Sequence, residues 1–96
     1  MSEKIEVENV NSPGRTTRVD RAKYEAARAA LMAVLPGEAP GMMPREAQAA
    51  MVAHLPEDLF PGGDKVGWWM KCVQLDLEAK GVITRAPKSP VRLWRA

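Results

Sequence analysis

The sequence predicts a small α+β domain, in which three helices are followed by a C-terminal β-hairpin and preceded by an extended arm. Apolar residues recur at helical spacing in three segments that proline and glycine separate, and apolar and polar residues alternate near the C-terminus. The 96 residues are enough for one domain only. We therefore divide the chain into an arm, residues 1–19, and a folded domain, residues 20–96.

The arm contains a short alternation at Ile5 and Val7 and a Pro-Gly turn signal, which indicates either a weak edge strand or an ordered arm. Asp20 is a candidate N-cap, because its side chain can accept a hydrogen bond from a free N–H group of the first helical turn. The first helix is predicted from residue 20 to residue 35, where a Pro-Gly pair ends it.

The second helix is predicted over residues 44–55, because Pro44 suits a first helical turn and another proline follows the segment. The third helix is predicted over residues 64–80, with Asp64 as its N-cap and Gly81 as its C-terminal stop.

Residues 82–85 and 91–95 are then predicted as two strands joined by a short loop, which makes a hairpin. A lone hairpin is only marginally stable in water. We therefore expect it to pack on the helices through Leu93 or Trp94.

The net charge of +2 conceals an uneven distribution. Residues 79–96 carry five cations and no acid, residues 9–24 carry four cations and one acid, and residues 29–78 carry seven acids and three cations. A basic tip on a near-neutral body fits either a nucleic-acid footprint or a solvated hairpin that lysine and arginine keep soluble.

Several classes of protein do not fit the sequence. No apolar run reaches the roughly 18 residues of a membrane helix, and the N-terminus lacks the apolar core of a signal peptide. The single cysteine, Cys72, excludes an internal disulfide and a multi-cysteine zinc site. A thiol–imidazole pair of Cys72 with His54 is a weaker interpretation than a buried structural cysteine. The sequence predicts a cytoplasmic protein that is not an enzyme and holds no metal or cofactor.

The third helix carries two apolar stripes at 100° per residue. The expected core stripe comprises Val66, Trp69, Met70, Val73 and Leu77. The second stripe comprises Trp68, Cys72, Leu75 and Ala79. Either the first helix or the arm covers the second stripe, or it is an exposed patch centred on Trp68. An exposed patch would form a homodimer or protein-docking interface through Trp68, Cys72 and Leu75.

Residues 70–96 resemble the end of a winged helix-turn-helix domain, on the run Leu77-Glu78-Ala79-Lys80-Gly81-Val82-Ile83-Thr84-Arg85 and the hairpin after it. The whole chain also resembles a family of small, uncharacterised bacterial proteins, most distinctively in the stretch from Phe60 to Gly81. The winged-helix resemblance implies that the third helix lies in the DNA major groove, with positions 68, 69, 71, 72 and 75 facing DNA. Of these only Lys71 suits base reading, with Gln74 nearby.

The leading hypothesis is therefore a regulatory nucleic-acid-binding protein that contacts double-stranded DNA, mainly its phosphates, through wing and arm. The candidate contacts are Arg15, Arg18, Lys71, Gln74, Arg85, Lys88, Arg92 and Arg95. The alternative hypothesis is protein–protein interaction or homodimerisation through the second apolar stripe.

Overall fold

Two hairpins flank three helices in the computed structural model, which describes residues 3–96. The elements in chain order are β1 (Lys4–Glu8), β2 (Thr16–Asp20), α1 (Arg21–Val34), α2 (Pro44–Met51), α3 (Val66–Ala79), β3 (Ile83–Arg85) and β4 (Leu93–Arg95). Short 3₁₀ turns at Val52–His54 and Pro61–Gly63 lie between α2 and α3. The α+β class, the three helices and the C-terminal hairpin are confirmed, and the N-terminal segment adds a second hairpin.

The local signals for the helix ends are largely confirmed. Asp20 caps α1, since its carboxylate accepts a hydrogen bond of 3.0 Å from the Lys23 N–H group. Gly81 follows α3 with a φ of 73°, a conformation that glycine adopts without a Cβ clash. The N–H group of Val82 then donates to the Leu77 carbonyl at 2.8 Å, which closes the helix in a Schellman motif.

Two predicted helix boundaries are wrong. Asp64 is not the N-cap of α3, because Lys65 occupies that position in a left-handed conformation with a φ of 57° and the helix begins at Val66. Helix α2 ends at Met51 instead of residue 55. Its continuation is a 3₁₀ turn, and Leu55 is extended, as a residue that precedes proline prefers.

The arm is an antiparallel hairpin of β1 and β2 in which Ile5 pairs with Val19 and Val7 with Thr17. The sequence indicated only one strand here, because Val19 is the sole strongly apolar residue of β2. Val7 and Val19 are both buried and belong to the main core cluster. The arm is therefore an integral layer of the fold.

The core lies where the three helices meet. Leu31 of α1, Met51 of α2 and Val73 of α3 have no accessible surface, and truncating such a leucine or methionine to alanine costs about 2–5 kcal/mol. Leu93 anchors the C-terminal hairpin in this core, and its backbone exchanges hydrogen bonds of 2.9 and 2.8 Å with Met42. No helix within residues 3–96 has the length and apolar character of a membrane span.

Candidate functional site

A groove with a volume of about 470 Å³ lies between the β1–β2 hairpin and the first three turns of α3. We call it the α3 groove. Its apolar lining comes from Val7 and Val19 on the hairpin and from Trp68, Cys72 and Leu75 on the helix. Its charged lining comprises Glu8, Arg15 and Lys71, and its neutral polar lining comprises Asn9, Ser12 and Thr17. A largely apolar cleft of this size with a few polar groups is typical of binding sites.

A buried carboxylate positions the hairpin beside the helix. Asp76 of α3 is fully buried and accepts a hydrogen bond of 2.8 Å from the Glu8 N–H group in β1. It also accepts a hydrogen bond from the Tyr24 hydroxyl of α1 and forms an ion pair of 2.8 Å with Lys80. One side chain therefore joins β1 and α1 to α3.

The sequence pattern alone does not single out Asp76 as a buried residue. The i,i+4 spacing of Asp76 and Lys80 was the one local signal of its pairing. Its partners Tyr24 and Glu8 lie 52 and 68 residues away along the chain.

Burial and the hydrogen bond to Asp76 raise the pKa of Tyr24, because both favour the neutral phenol. Burial, and then the Asp76 charge, raise the pKa of Cys72 to about 11. The Cys72 thiol therefore stays protonated at neutral pH and is a poor nucleophile. No hydrogen bond links it to His54, so the structural interpretation of this cysteine is favoured.

Trp68 stands at the exposed edge of the groove with 57% of its surface accessible. Its ring packs edge-on against Trp69, with 4.9 Å between ring centroids. Trp69 is buried and packs in turn against Phe60 at 6.2 Å. The two adjacent tryptophans thus differ in role, since Trp69 anchors α3 in the core while Trp68 packs against it and faces solvent.

The second apolar stripe of α3 is partly covered. Leu75 is buried where the Val10 N–H group of the hairpin donates to its carbonyl at 3.3 Å. Cys72 is half-buried, whereas Trp68 and Ala79 are exposed. Both alternatives from the sequence therefore apply, because the hairpin covers the middle of the stripe and leaves Trp68 uncovered.

Two of the predicted nucleic-acid contacts are paired with Glu78. Gln74 is 6% exposed and donates to Glu78 at 3.0 Å, so its amide does not face solvent. Arg85 donates two hydrogen bonds of 2.8 and 2.9 Å to Glu78, and this pairing raises its pKa. Arg18 is exposed on β2 directly opposite Glu6, and the two side chains form no ion pair within 4.0 Å.

The remaining predicted cations fall into two groups. Arg15 and Lys71 are exposed and line the α3 groove. Lys88, Arg92 and Arg95 lie on the C-terminal hairpin and its loop, outside the groove lining. Lys88 and Arg95 are exposed, and Arg92 is half-buried. None of the five forms an ion pair with a residue in the described part of the chain. Among residues 3–96, no group of three or more His, Cys, Asp or Glu side chains is arranged to hold a metal ion.

Residues 4–93 match a family of unknown function, DUF6958. The chain belongs to this family. The match runs from the first residue of β1 to the first residue of β4, so the N-terminal hairpin, all three helices and β3 lie within it. Every residue of the α3 groove lies within it as well. No curated protein and no solved structure matches the chain.

Proposed function

We propose that this chain is a non-enzymatic binding domain and that the α3 groove is the surface through which it holds a partner protein. The observation that carries the proposal is Trp68, a tryptophan 57% exposed beside an apolar groove. Tryptophan dominates the binding energy of many protein interfaces, and an uncovered apolar patch commonly marks such a site. The alternative function that the sequence suggested thus becomes the leading one.

We also propose that the domain is a winged helix, with the β3–β4 hairpin as its wing. The order of three helices followed by a hairpin supports this assignment. The bridge between Met42 and Leu93 supports it further, because it fixes the hairpin to the connector that precedes α2.

The surroundings of α3 favour a protein partner over base reading by this helix. A major groove about 12 Å wide admits a single α-helix, which with its side chains is about 10–12 Å across. The β1–β2 hairpin lies against α3, with Glu8 and Val10 bonded to Asp76 and Leu75. The helix therefore presents itself together with a hairpin, and the pair is too wide for the major groove.

Selection from a random peptide library displayed on phage tests the proposal without a known partner. We expect enriched peptides that contain a large apolar residue and that bind the wild type at least about tenfold more tightly than Trp68→Ala. Val52→Ala is the matched control, because Val52 is 45% exposed but lies outside the groove. Peptides that bind Trp68→Ala as well as the wild type would place the site elsewhere and reject the proposal.

Nucleic-acid binding is a second candidate, and the wing favours it. Lys88, Arg92 and Arg95 form no ion pair within the described chain, so their charges are available to phosphates. We expect the wild-type protein to bind a random-sequence DNA duplex at about 50 mM salt, as measured by fluorescence anisotropy. The slope of the logarithm of the binding constant against the logarithm of the salt concentration should decrease by about one unit for each phosphate-contacting cation that a substitution removes. Binding should disappear in Lys88→Glu with Arg92→Glu and persist in Arg45→Glu. A wild type that binds no duplex at this salt concentration would reject the candidate.

A further inference from the structure

We infer that the partner in the α3 groove is a second copy of this chain, bound about a two-fold axis. The inference rests on the proposed function and names the partner of the same site. It is carried by the charges along the groove, by the position of Trp68 and by what each alternative occupant would leave unpaired.

The groove carries charges of both signs that do not neutralise one another within the protomer. Glu8 lies on the hairpin side and Lys71 on the helix side, and both side chains are exposed. No ion pair within 4.0 Å involves either of them in the described chain. A two-fold axis makes a surface meet itself, so that residue i contacts residue j and residue j contacts residue i. Glu8 of each protomer can therefore pair with Lys71 of the other.

The apolar groups are arranged in the same self-complementary way. Trp68 projects at one edge of the groove, while Val7, Val19 and Cys72 line its interior. In a two-fold dimer each Trp68 enters the partner's groove, so the contact occurs twice. Because the ring already packs against Trp69, it loses little side-chain freedom when it binds.

Other occupants satisfy this surface less completely. An acidic segment or a phosphate backbone would pair with Lys71 and Arg15 but would meet the like charge of Glu8. A basic segment would pair with Glu8 but would meet the like charges of Lys71 and Arg15. A second copy supplies an opposite charge for both Glu8 and Lys71, so that only Arg15 of the three charged lining residues is left without a complement. Like charges placed together across an interface are costly.

Sedimentation equilibrium from micromolar to millimolar concentration tests the inference. We expect reversible dimers of the wild type and a dissociation constant at least about tenfold higher for Trp68→Ala, because each dimer loses two copies of the ring. Val52→Ala should associate like the wild type, and circular dichroism confirms that each variant is folded. A wild type that stays monomeric throughout, or a dimer indifferent to Trp68→Ala, overturns the inference.

Charge reversal tests the reciprocal pairing directly. Glu8→Lys and Lys71→Glu should each weaken association, since each homodimer then contains two like-charged contacts. An equimolar mixture of the two variants should restore it, because both contacts in the mixed dimer are again attractive. Glu38→Lys and Arg45→Glu, exposed charge reversals outside the groove, should leave association unchanged. A mixture no stronger than either variant alone overturns the proposed pairing.

The same measurements separate this inference from the proposed function. A monomeric wild type that selects Trp68-dependent peptides overturns the second copy as partner and leaves the groove as a docking site. A monomeric wild type that selects no such peptides overturns both.

Discussion

Replacing Asp76 by alanine should destabilise the domain by about 3 kcal/mol. The substitution leaves two donors without an acceptor, the buried Tyr24 hydroxyl and the partly buried Glu8 N–H group. Each orphaned buried donor costs about 1–3 kcal/mol. Relief of the desolvated carboxylate offsets part of that loss, and Lys80, with a side chain 40% exposed, can return to water.

This loss is large for a domain of this size. Stability of about 0.05–0.15 kcal/mol per residue gives a 96-residue chain about 5–14 kcal/mol in total. A loss of about 3 kcal/mol should lower the Tm by about 12–24 °C, at roughly 4–8 °C per kcal/mol. Urea denaturation followed by circular dichroism measures the free energy, and an unchanged m-value keeps the comparison two-state.

A double-mutant cycle with Tyr24→Phe isolates the hydroxyl–carboxylate contact. Because the two groups belong to one hydrogen-bond network, the loss of stability in the double variant should be smaller than the sum of the two single losses. We expect a difference of at least 0.5 kcal/mol, roughly the lower bound for coupled neighbours. Hydrogen exchange of the Glu8 amide should also accelerate in Asp76→Ala. A loss below about 1 kcal/mol, or additive single losses, would refute the view that Asp76 joins the hairpin to the helices.

Three further outcomes follow from single groups. Tyr24 is the only tyrosine, so tyrosinate absorbance reports on it alone. Because burial and the hydrogen bond to Asp76 raise its pKa in the native protein, it should ionise there well above the value of about 10 expected in denaturant. Equal midpoints of tyrosinate absorbance in the native and denatured protein would contradict this. Because the folded-state pKa is the higher one, the stability that Tyr24 contributes is complete below about pH 10 and is lost as the pH rises above it. The pKa of Cys72 is raised to about 11 from an ordinary value of 9.0. At mildly alkaline pH the native protein should therefore hold about 100-fold less thiolate than the denatured chain, and it should react with a disulfide reagent about 100-fold more slowly. Similar rates for the native and denatured chains would contradict the raised pKa. Gly41→Ala would place a Cβ 2.5 Å from the Leu93 carbonyl oxygen, whereas Gly14→Ala, at a similar positive φ, meets nothing within 4 Å. Thermal melts should therefore show Gly41→Ala less stable than Gly14→Ala by about 2 kcal/mol, and equal melts would contradict the clash.

The core face of α3 was predictable from the sequence. Trp69, Met70, Val73 and Leu77 recur at helical spacing, and all four are buried. The strand β2 was not predictable in the same way, because its five residues hold a single strongly apolar side chain. Its pairing with β1 depends on a turn and on the helices beneath it, which no local pattern records.

The candidate site likewise has features that the sequence pattern predicts and features that it does not. Trp68, Cys72 and Leu75 were recognisable as a second apolar stripe, since a helical period alone defines it. That stripe could not show by itself that Leu75 would be covered and Trp68 left at an open groove. Lys71 was assigned to nucleic acid from its residue type, and only the fold shows that it lies exposed in the lining of an apolar groove.

The three helices, the C-terminal hairpin, the caps at Asp20 and Gly81 and the uneven distribution of charge can all be read from the chain. These features depend on residues within a few positions of one another, where spacing and side-chain type are sufficient. The burial of Asp76, the pairing of Gln74 and Arg85 with Glu78, and the contribution of the β1–β2 hairpin to one wall of a groove become visible only in the folded protein. Those outcomes depend on which distant surfaces pack together, since burial and pairing are settled by neighbours in space.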